Sequence, residues 1–284
     1  MMVDLDRFES QFRASVKAQP VFEPPHVGSV LTITDLDKEA AQALEKRVQA
    51  YLSVLGEGVQ WTVVGRDDIS SVKDMLQHVE NGAPSLIVSY RHLFEPDKDL
   101  PHSLGTYADM LIQALRTPVL LMPNPTRAST LDKLVETRRV SVITDRIVGD
   151  QRLVNWGLRF VQNEGHLSML NVEDDEVFQR YVDIISKIPD IDTDLAARTI
   201  EGRLVHEAED FLNAWATSIR ADRRDLKIET RVQLGHTTRE YMAIASETGA
   251  DLIVFNTRKD DQLAMHGVAY ALAVELLDTP LLMI

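Results

Sequence analysis

The chain ends with the stretch Leu252-Ile253-Val254, Gly267 and Thr279-Pro280-Leu281-Leu282-Met283-Ile284, which is an apolar run, a glycine and a second apolar run. The same order occurs earlier as Leu86-Ile87-Val88, Gly105 and Thr117-Pro118-Val119-Leu120-Leu121-Met122. In both copies the glycine precedes the proline by 13 residues. A shared interval of this kind indicates a duplicated supersecondary unit. We therefore expect two repeats of one fold, over residues 1–125 and 126–284.

The second copy alternates strand-length apolar runs with helical patterns. The predicted strands are Arg139–Thr144, 167–172, 228–232, 251–255 and 281–284. Apolar residues at helical spacing fill much of the chain between them. Strands that alternate with helices form parallel sheets. The sequence thus predicts an α/β fold in which each repeat is a doubly wound, five-stranded parallel sheet. Such sheets bind ligands outside the carboxyl ends of their strands.

The first copy is abbreviated, and its missing part can be placed in two ways. The amphipathic helix predicted at residues 37–55 is equivalent either to the first helix of the second copy or to the long helix that follows Glu173-Asp174-Asp175-Glu176. The second pairing is favoured, because residues 30–37 resemble residues 169–175. On that interpretation residues 5–16 form the first helix, and the first strand is reduced or missing.

Composition limits the classes of partner. The net charge of −14 opposes nucleic-acid binding, which depends on Lys and Arg neutralising phosphates. The chain has no cysteine, which excludes disulfides, thiolate catalysis and cysteine metal sites. No stretch approaches the ~18 apolar residues of a membrane span, and residues 1–13 lack the pattern of a signal peptide. We expect a cytoplasmic protein that binds neither nucleic acid nor a membrane.

Two further stretches accompany the Thr-Pro endings: Gly249-Ala250-Asp251-Leu252-Ile253-Val254 and the turn Gly235-His236-Thr237-Thr238. Together these features resemble a tandem universal stress protein of the UspA-like family, over about residues 28–284. ATP-binding members of that family have a Gly-x2-Gly-x9-Gly-Ser/Thr signature after the fourth strand and an acidic residue ending the first strand. The resemblance implies that backbone N–H groups at the glycines contact phosphates at a helix N-terminus.

The second copy departs from this signature. Asn256 and Lys259 stand at the first two glycine positions, the loop is two residues shorter than the family's spacing, and Gly267 is followed by Val268 rather than a hydroxyl residue. Side chains at the glycine positions would fill the space of the triphosphate.

Other positions of the second copy remain compatible with a ligand. The resemblance places Asp145 on the adenine side and the main chain of Val172 against the base. Arg258 and Lys259 would attract an anion by charge. In the alternative interpretation, Asp145 caps a helix beginning near Gly149, and the two cations are solvated loop residues.

The first copy keeps only the final pair of the signature, Gly105-Thr106. Tyr90 and Leu93 occupy the earlier glycine positions, and the loop is two residues too long. If the first strand is missing, Asp145 has no counterpart here. Alternatively, Gly105-Thr106 is only the start of a helix.

Other chemistry is sparse. Asp190-Ile191-Asp192-Thr193-Asp194 and Glu201 match calcium-loop positions, but Leu195 stands where the turn requires glycine. We therefore expect a solvated acidic loop and no metal site. No combination of acid, base and nucleophile can be assigned, so a catalytic role has no support.

Three functional hypotheses follow. The first is a non-enzymatic stress-response protein whose final strands pair to make an intramolecular pseudo-dimer, with no cofactor expected. The second is a sensor that binds ATP, AMP or another small anion in the second repeat. The third is a slow nucleotide hydrolase. Homo-oligomers and an unidentified protein partner remain open. The candidate ligand residues are Asp145, Val172, Arg258, Lys259, Gly267, Gly105 and Thr106.

Overall fold

The computed structural model describes residues 20–95, 102–125, 134–144, 151–257, 265 and 267–284. The strands in these residues are β1 (Ser29–Ile33), β2 (Gln60–Val64), β3 (Leu86–Tyr90), β4 (Val119–Met122), β5 (Arg139–Thr144), β6 (His166–Asp174), β7 (Lys227–Gly235), β8 (Leu252–Phe255) and β9 (Leu281–Met283). The α-helices are α1 (Lys38–Tyr51), α2 (Val72–Gly82), α3 (Thr106–Ala114), α4 (Gln151–Phe160), α5 (Asp175–Ile185), α6 (Thr193–Asp222), α7 (Thr237–Thr248) and α8 (Gly267–Glu275). The first helix predicted at residues 5–16 lies outside the described residues.

Local sequence signals account for the helix boundaries. The side chain of Asp37 accepts a hydrogen bond from the amide of Ala40 and so caps the N-terminus of α1. Leu44, Val48 and Tyr51 then recur at helical spacing and are buried against the sheet. In the second repeat, Gly249 adopts the left-handed conformation that ends α7, with φ of +53°. These capping residues position the helices over a sheet whose inner strands are buried and whose two edge strands, β2 and β7, are partly exposed.

All nine strands form one continuous sheet in the order β2-β1-β3-β4-β9-β8-β5-β6-β7. Neighbours are parallel except β4 and β9, which pair in antiparallel orientation. The α/β fold with a doubly wound parallel sheet is therefore present in each half of the chain. Within the described residues the first repeat contributes four strands rather than the expected five, and the two halves share one sheet.

The described part of the first repeat has no counterpart of the third strand, and the expectation that the first strand is missing is wrong. β1 pairs Val30 with Leu86, just as the first strand of the second repeat pairs Val140 with Leu252. Since Leu86 and Leu252 are equivalent in the two copies, β1 occupies the first-strand position. Helix α1 is accordingly equivalent to α4, and not to the long acidic-led helix.

The physical reason is the position of each strand in the sheet. The third strand of the second repeat, β7, lies at the edge and pairs only with β6. A first strand would instead lie in the middle, between the strands equivalent to β6 and β8. Loss of an edge strand leaves the sheet continuous, whereas loss of the central first strand would divide it.

The antiparallel pairing of β4 with β9 is two-fold symmetric. Leu120 pairs with Leu282, and these two residues occupy equivalent positions of the two repeats. On either side, Val119 pairs with Met283 and Leu121 pairs with Leu281. Equivalent residues that contact each other reciprocally are the geometric mark of an isologous interface. The seam between the repeats therefore has the form of a two-fold dimer contact within one chain.

Hydrogen bonds from the helices and loops also join the two halves. The guanidinium of Arg159 in α4 donates to the carbonyl oxygens of Val54 (3.1 Å) and Leu55 (2.9 Å), just after α1. The hydroxyl of Tyr51 donates to the carbonyl oxygen of Asp251 at 2.7 Å. Arg91, which is buried, donates to the carbonyl oxygens of Ala273 and Leu276 at the C-terminal end of α8.

Candidate functional site

The equivalence of β1 and β5 identifies an acidic residue at the carboxyl end of the first strand in the first repeat. Counting from Val30 and Val140, Asp35 is equivalent to Asp145. The expectation that Asp145 has no counterpart is therefore wrong, because it rested on the wrong placement of the missing strand. Asp35 was not singled out from the sequence, and the strand register is the signal that identifies it.

The carboxylate of Asp35 is already engaged within the protein. The hydroxyl of Tyr90 donates to one of its oxygens, and the amide of Phe94 donates to the other at 3.2 Å. The same hydroxyl contacts Thr34 Oγ1 at 2.7 Å. Tyr90 occupies the first glycine position of the family signature and is buried. A tyrosine side chain thus takes both the space and the hydrogen-bonding capacity that a ligand would use.

Burial raises the pKa of two tyrosines and should weaken the fold at alkaline pH. Desolvation is the main cause for both Tyr90, which is also bonded to Asp35, and Tyr51, which is also close to the charge of Asp251. Tyrosines of the unfolded chain ionise at about pH 10. In the folded protein, Tyr51 and Tyr90 keep their protons above that pH. We expect the free energy of unfolding to fall above about pH 10, by up to ~1.4 kcal/mol per pH unit for each tyrosine.

Urea unfolding measured from neutral to alkaline pH checks this expectation. Tyr51→Phe should make the alkaline decline less steep, and replacement of the exposed Tyr181 by phenylalanine is the matched control. An identical alkaline slope in wild type and Tyr51→Phe would contradict the proposed cause.

The N-terminus of α3, where the signature's final pair stands, is occupied by a carboxylate of the chain itself. The amide of Thr106 donates to Glu95 Oε1 at 2.9 Å. Gly105 has a φ of +81°, and a Cβ at this position would lie 2.8 Å from Glu95 Oε2 and 2.9 Å from His92 Cα. Gly105 is thus required by the backbone and by the close approach of Glu95. The carboxylate takes the place of an anionic ligand at this helix end.

A small cleft remains on the other side of the first-repeat site. It has a volume of about 200 Å³ and is lined by Lys38, Ala41, Gln42, Val63, Gly65, Arg66, Asp67 and Asp68. Ligand pockets commonly have volumes of about 300–1,000 Å³. By strand register, Arg66 is equivalent to Val172 of the second repeat. The first repeat thus has a small, charged cleft where the family places the base.

In the second repeat, Val172 lies on β6 and is buried. Its amide, which the resemblance assigns to the base, donates to the hydroxyl of Tyr241 at 2.9 Å. That hydroxyl in turn donates to the carbonyl oxygen of Thr144 at 3.2 Å. Tyr241 was not identified from the sequence, because its position on α7 gives no sign that its hydroxyl reaches β6. A ligand that contacts the Val172 amide would have to displace this hydroxyl.

Only part of the second-repeat site lies within the described residues. A Cβ placed on Gly267 meets no described atom within 4 Å, in contrast to Gly105. Asn256, equivalent to Tyr90, is buried. The predicted ligand residues Asp145, Arg258 and Lys259 lie outside the described residues. The structure therefore brings Val172 and Gly267 to the carboxyl-end side of the sheet, and the three charged candidates remain predictions.

Asn171 adds an unsatisfied polar atom near this site. Its side-chain nitrogen donates to the carbonyl oxygen of Thr144 at 3.0 Å, but its buried Oδ1 has no hydrogen-bond partner among the described residues. A buried acceptor without a donor costs about 1–3 kcal/mol. The atom belongs to the last residue pair between β5 and β6, Thr144 with Asn171. A ligand or a water molecule that donates a hydrogen bond to this oxygen would remove the cost.

No metal-binding cluster is present among the described residues. The calcium-like stretch instead starts a helix: the Asp192 side chain accepts from the amide of Leu195 and caps α6. No helix within the described ranges has the length and apolar character to cross a bilayer.

The comparisons with known proteins give matches in structure only. No protein-family model matches the chain, and no curated protein matches it significantly. A functionally unknown protein of Pseudomonas aeruginosa PAO1 has a TM-score of 0.54 at 16% identity, covering 91% of this chain and 92% of its own. A structure from Pseudomonas aeruginosa UCBPP-PA14, solved as a candidate universal stress protein, has a TM-score of 0.54 at 16% identity, covering 91% and 93%.

A universal stress protein of Archaeoglobus fulgidus DSM 4304 has a TM-score of 0.49 at 14% identity, covering 90% of this chain and 95% of its own. The two Pseudomonas structures extend over nearly the whole of both chains, so the likeness includes both repeats. The chain therefore has the α/β fold of universal stress proteins.

Proposed function

We propose that this protein acts in the stress response as an intramolecular pseudo-dimer, without catalytic activity and without the ATP binding usual in the family. The observation that carries the proposal is the isologous pairing of β4 with β9. In this arrangement one chain supplies both sides of a contact that would otherwise need two subunits. The pairing also covers the edges of two apolar strands, which would be exposed in an isolated repeat.

The contacts in the first repeat support the absence of ATP binding. Tyr90 occupies the first glycine position and bonds the acid Asp35. Glu95 holds the amide at the start of α3. A triphosphate would have to displace a buried aromatic side chain and a carboxylate, and would meet the negative charge of both acids. Each displacement and each repulsion would weaken ATP binding, whereas an open glycine loop imposes neither.

The second repeat favours a second candidate function, the sensing of an adenine nucleotide or another small anion. The Oδ1 of Asn171, which has no hydrogen-bond partner among the described residues, supports it. Asp145, Arg258 and Lys259 would supply the remaining contacts. In this version the first repeat is a structural partner, and the second holds the ligand.

A cytoplasmic location and a protein partner complete the proposal. The net charge of −14 argues against nucleic acid as the partner. Because the β4 and β9 edges are paired within the chain, self-association through these strands is not required. Any homo-oligomer would use another surface.

Nucleotide binding distinguishes the two candidate functions. We expect no ATP to be retained through purification, as measured by mass spectrometry of the denatured protein, and no rise in melting temperature on adding ATP. A site saturated at about 100 times its Kd would add ~2.7 kcal/mol of stability, which a thermal scan detects readily.

Stabilisation by ATP would contradict the proposed loss of ATP binding. Stabilisation by AMP or inorganic phosphate that is removed by Asp145→Ala would favour the sensor. Glu95→Gln is the matched control in the first repeat, because it changes the anion position there and leaves the second repeat intact.

A further inference from the structure

The helical hairpin formed by α5 and α6 carries an unusual concentration of exposed apolar side chains. Of the large hydrophobic residues that are exposed in the described parts of the chain, most lie in this one segment. We name them the hairpin patch: Val177, Tyr181, Ile184, Ile188, Ile191 and Leu195, each between 43% and 57% exposed. An apolar surface of this kind marks an interaction site more often than chance exposure.

The hairpin projects from the body of the protein. In α6 only residues of the C-terminal half are buried, beginning at Ala208, and in α5 only Phe178 is buried. Val177, Tyr181 and Ile184 share one face of α5, because they are spaced by four and three residues. The patch therefore continues from the exposed face of α5 through the turn to the start of α6.

The path of the N-terminal chain leads toward this patch. The amide of Glu23 donates to Asn155 Oδ1 at 3.0 Å, and the amide of Val21 donates to Gln151 Oε1 at 2.9 Å. Followed from residue 23 to residue 21, the chain thus moves toward the first turn of α4. That turn follows the carboxyl end of β5, and α5 starts at the same side of the sheet, at the end of the neighbouring β6.

Length and position allow residues 1–19 to reach the patch. The ring of Phe22 packs against Trp215 of α6 with centroids 5.6 Å apart. Leu195 lies about 20 residues, or ~30 Å, from Trp215 along the same helix. Nineteen residues span ~28 Å as a helix and more than twice that when extended.

Residues 5–16 are apolar at helical spacing and add no net negative charge to the acidic hairpin. Residues 173–195 contain eight carboxylates and two basic residues. Residues 5–16 contain Asp6 and Glu9 beside Arg7 and Arg13 and so carry no net charge, and Leu5, Phe8, Phe12 and Val16 recur at helical spacing. A second copy of the hairpin would bring the same excess of negative charge to the contact, which disfavours self-association here.

We propose that residues 5–16 of the same chain dock on the hairpin patch. In this arrangement the apolar residues of the segment would cover the patch. The tether at residue 20 gives a high effective concentration, so that a weak contact is sufficient. A protein partner that binds the patch would have to displace this segment.

Hydrogen-exchange mass spectrometry of full-length variants tests the proposal. Phe8→Asp combined with Phe12→Asp should speed amide exchange in residues 177–195 by about tenfold, because protection falls when a covering segment is released. Ser10→Asp combined with Ser15→Asp is the matched control and should leave these residues near the wild-type rate. Exchange in β1 should be unchanged in all variants.

Two results would overturn the proposal. Equal exchange of residues 177–195 in wild type and the Phe8/Phe12 variant would show that the segment does not cover the patch. Protection that rises with protein concentration would assign the patch to a second copy. Tyr181→Asp provides the reciprocal check, since it should speed exchange in residues 5–16.

Discussion

Leu120→Lys is expected to lower the free energy of unfolding by about 4 kcal/mol or more. Leu120 is fully buried at the centre of the β4–β9 seam, where it pairs with Leu282. A lysine there would bury a charge without a partner or force the two strands apart, and burial of an unpaired charge is among the most destabilising single changes. Urea denaturation followed by circular dichroism measures the loss.

A milder pair of variants keeps this prediction testable if the lysine variant does not fold. Leu120→Ala and Leu282→Ala should each cost about 2–5 kcal/mol, as is typical for large-to-small changes in a core. Because the two residues lie directly opposite each other on antiparallel strands, their effects should be non-additive by at least ~0.5 kcal/mol. Met110→Lys, on the partly exposed α3 surface, is the control and should cost less than ~0.5 kcal/mol. Additive losses at the two leucines would argue against a contact across the seam.

Arg91→Ala is expected to destabilise the protein by about 3 kcal/mol. The buried guanidinium links the loop after β3 to the C-terminal end of α8, donating to the carbonyl oxygens of Ala273 and Leu276. Hydrogen bonds from a charged group are worth about 1.5–3 kcal/mol each, and the carbonyl end of a helix favours a cation. Alanine would remove both bonds and leave the two carbonyl groups without this donor.

Arg91→Lys separates charge from geometry at the same position. Lysine keeps the positive charge but lacks the planar fork that reaches two carbonyl oxygens at once. Its stability should lie between those of wild type and Arg91→Ala, as measured by the urea midpoint. A loss below about 1 kcal/mol for Arg91→Ala would show that this link contributes little to joining the repeats.

The alternation of strand-length apolar runs with helical patterns was sufficient to predict the α/β fold, because that alternation is typical of parallel sheets. The order of strands within the first repeat was not predictable in the same way. Residues 30–37 and 169–175 are each a buried strand followed by an acidic helix start, and this local pattern recurs in any βα unit. Only the pairing of Val30 with Leu86 shows that β1 is the first strand.

The candidate site was predicted in part. Tyr90 could be recognised as an obstacle from its place in the glycine signature. Its hydrogen bond to Asp35 could not, because it depends on β1 lying beside β3. Glu95 is 11 residues before the amide that it binds, and only the path of the loop brings its carboxylate to α3. Asn171 likewise shows its unpartnered atom only once β5 and β6 are aligned.

Hydrogen exchange of the wild-type protein in increasing urea tests most directly whether the two repeats form one body. The account predicts that the amides of β1–β4 and of β5–β9 lose protection together, at one urea concentration and with one free energy, because the seam at Leu120 and Leu282 couples them. If the strands of one repeat exchange at clearly lower urea while those of the other stay protected, the repeats are independent domains. That result would contradict the intramolecular pseudo-dimer.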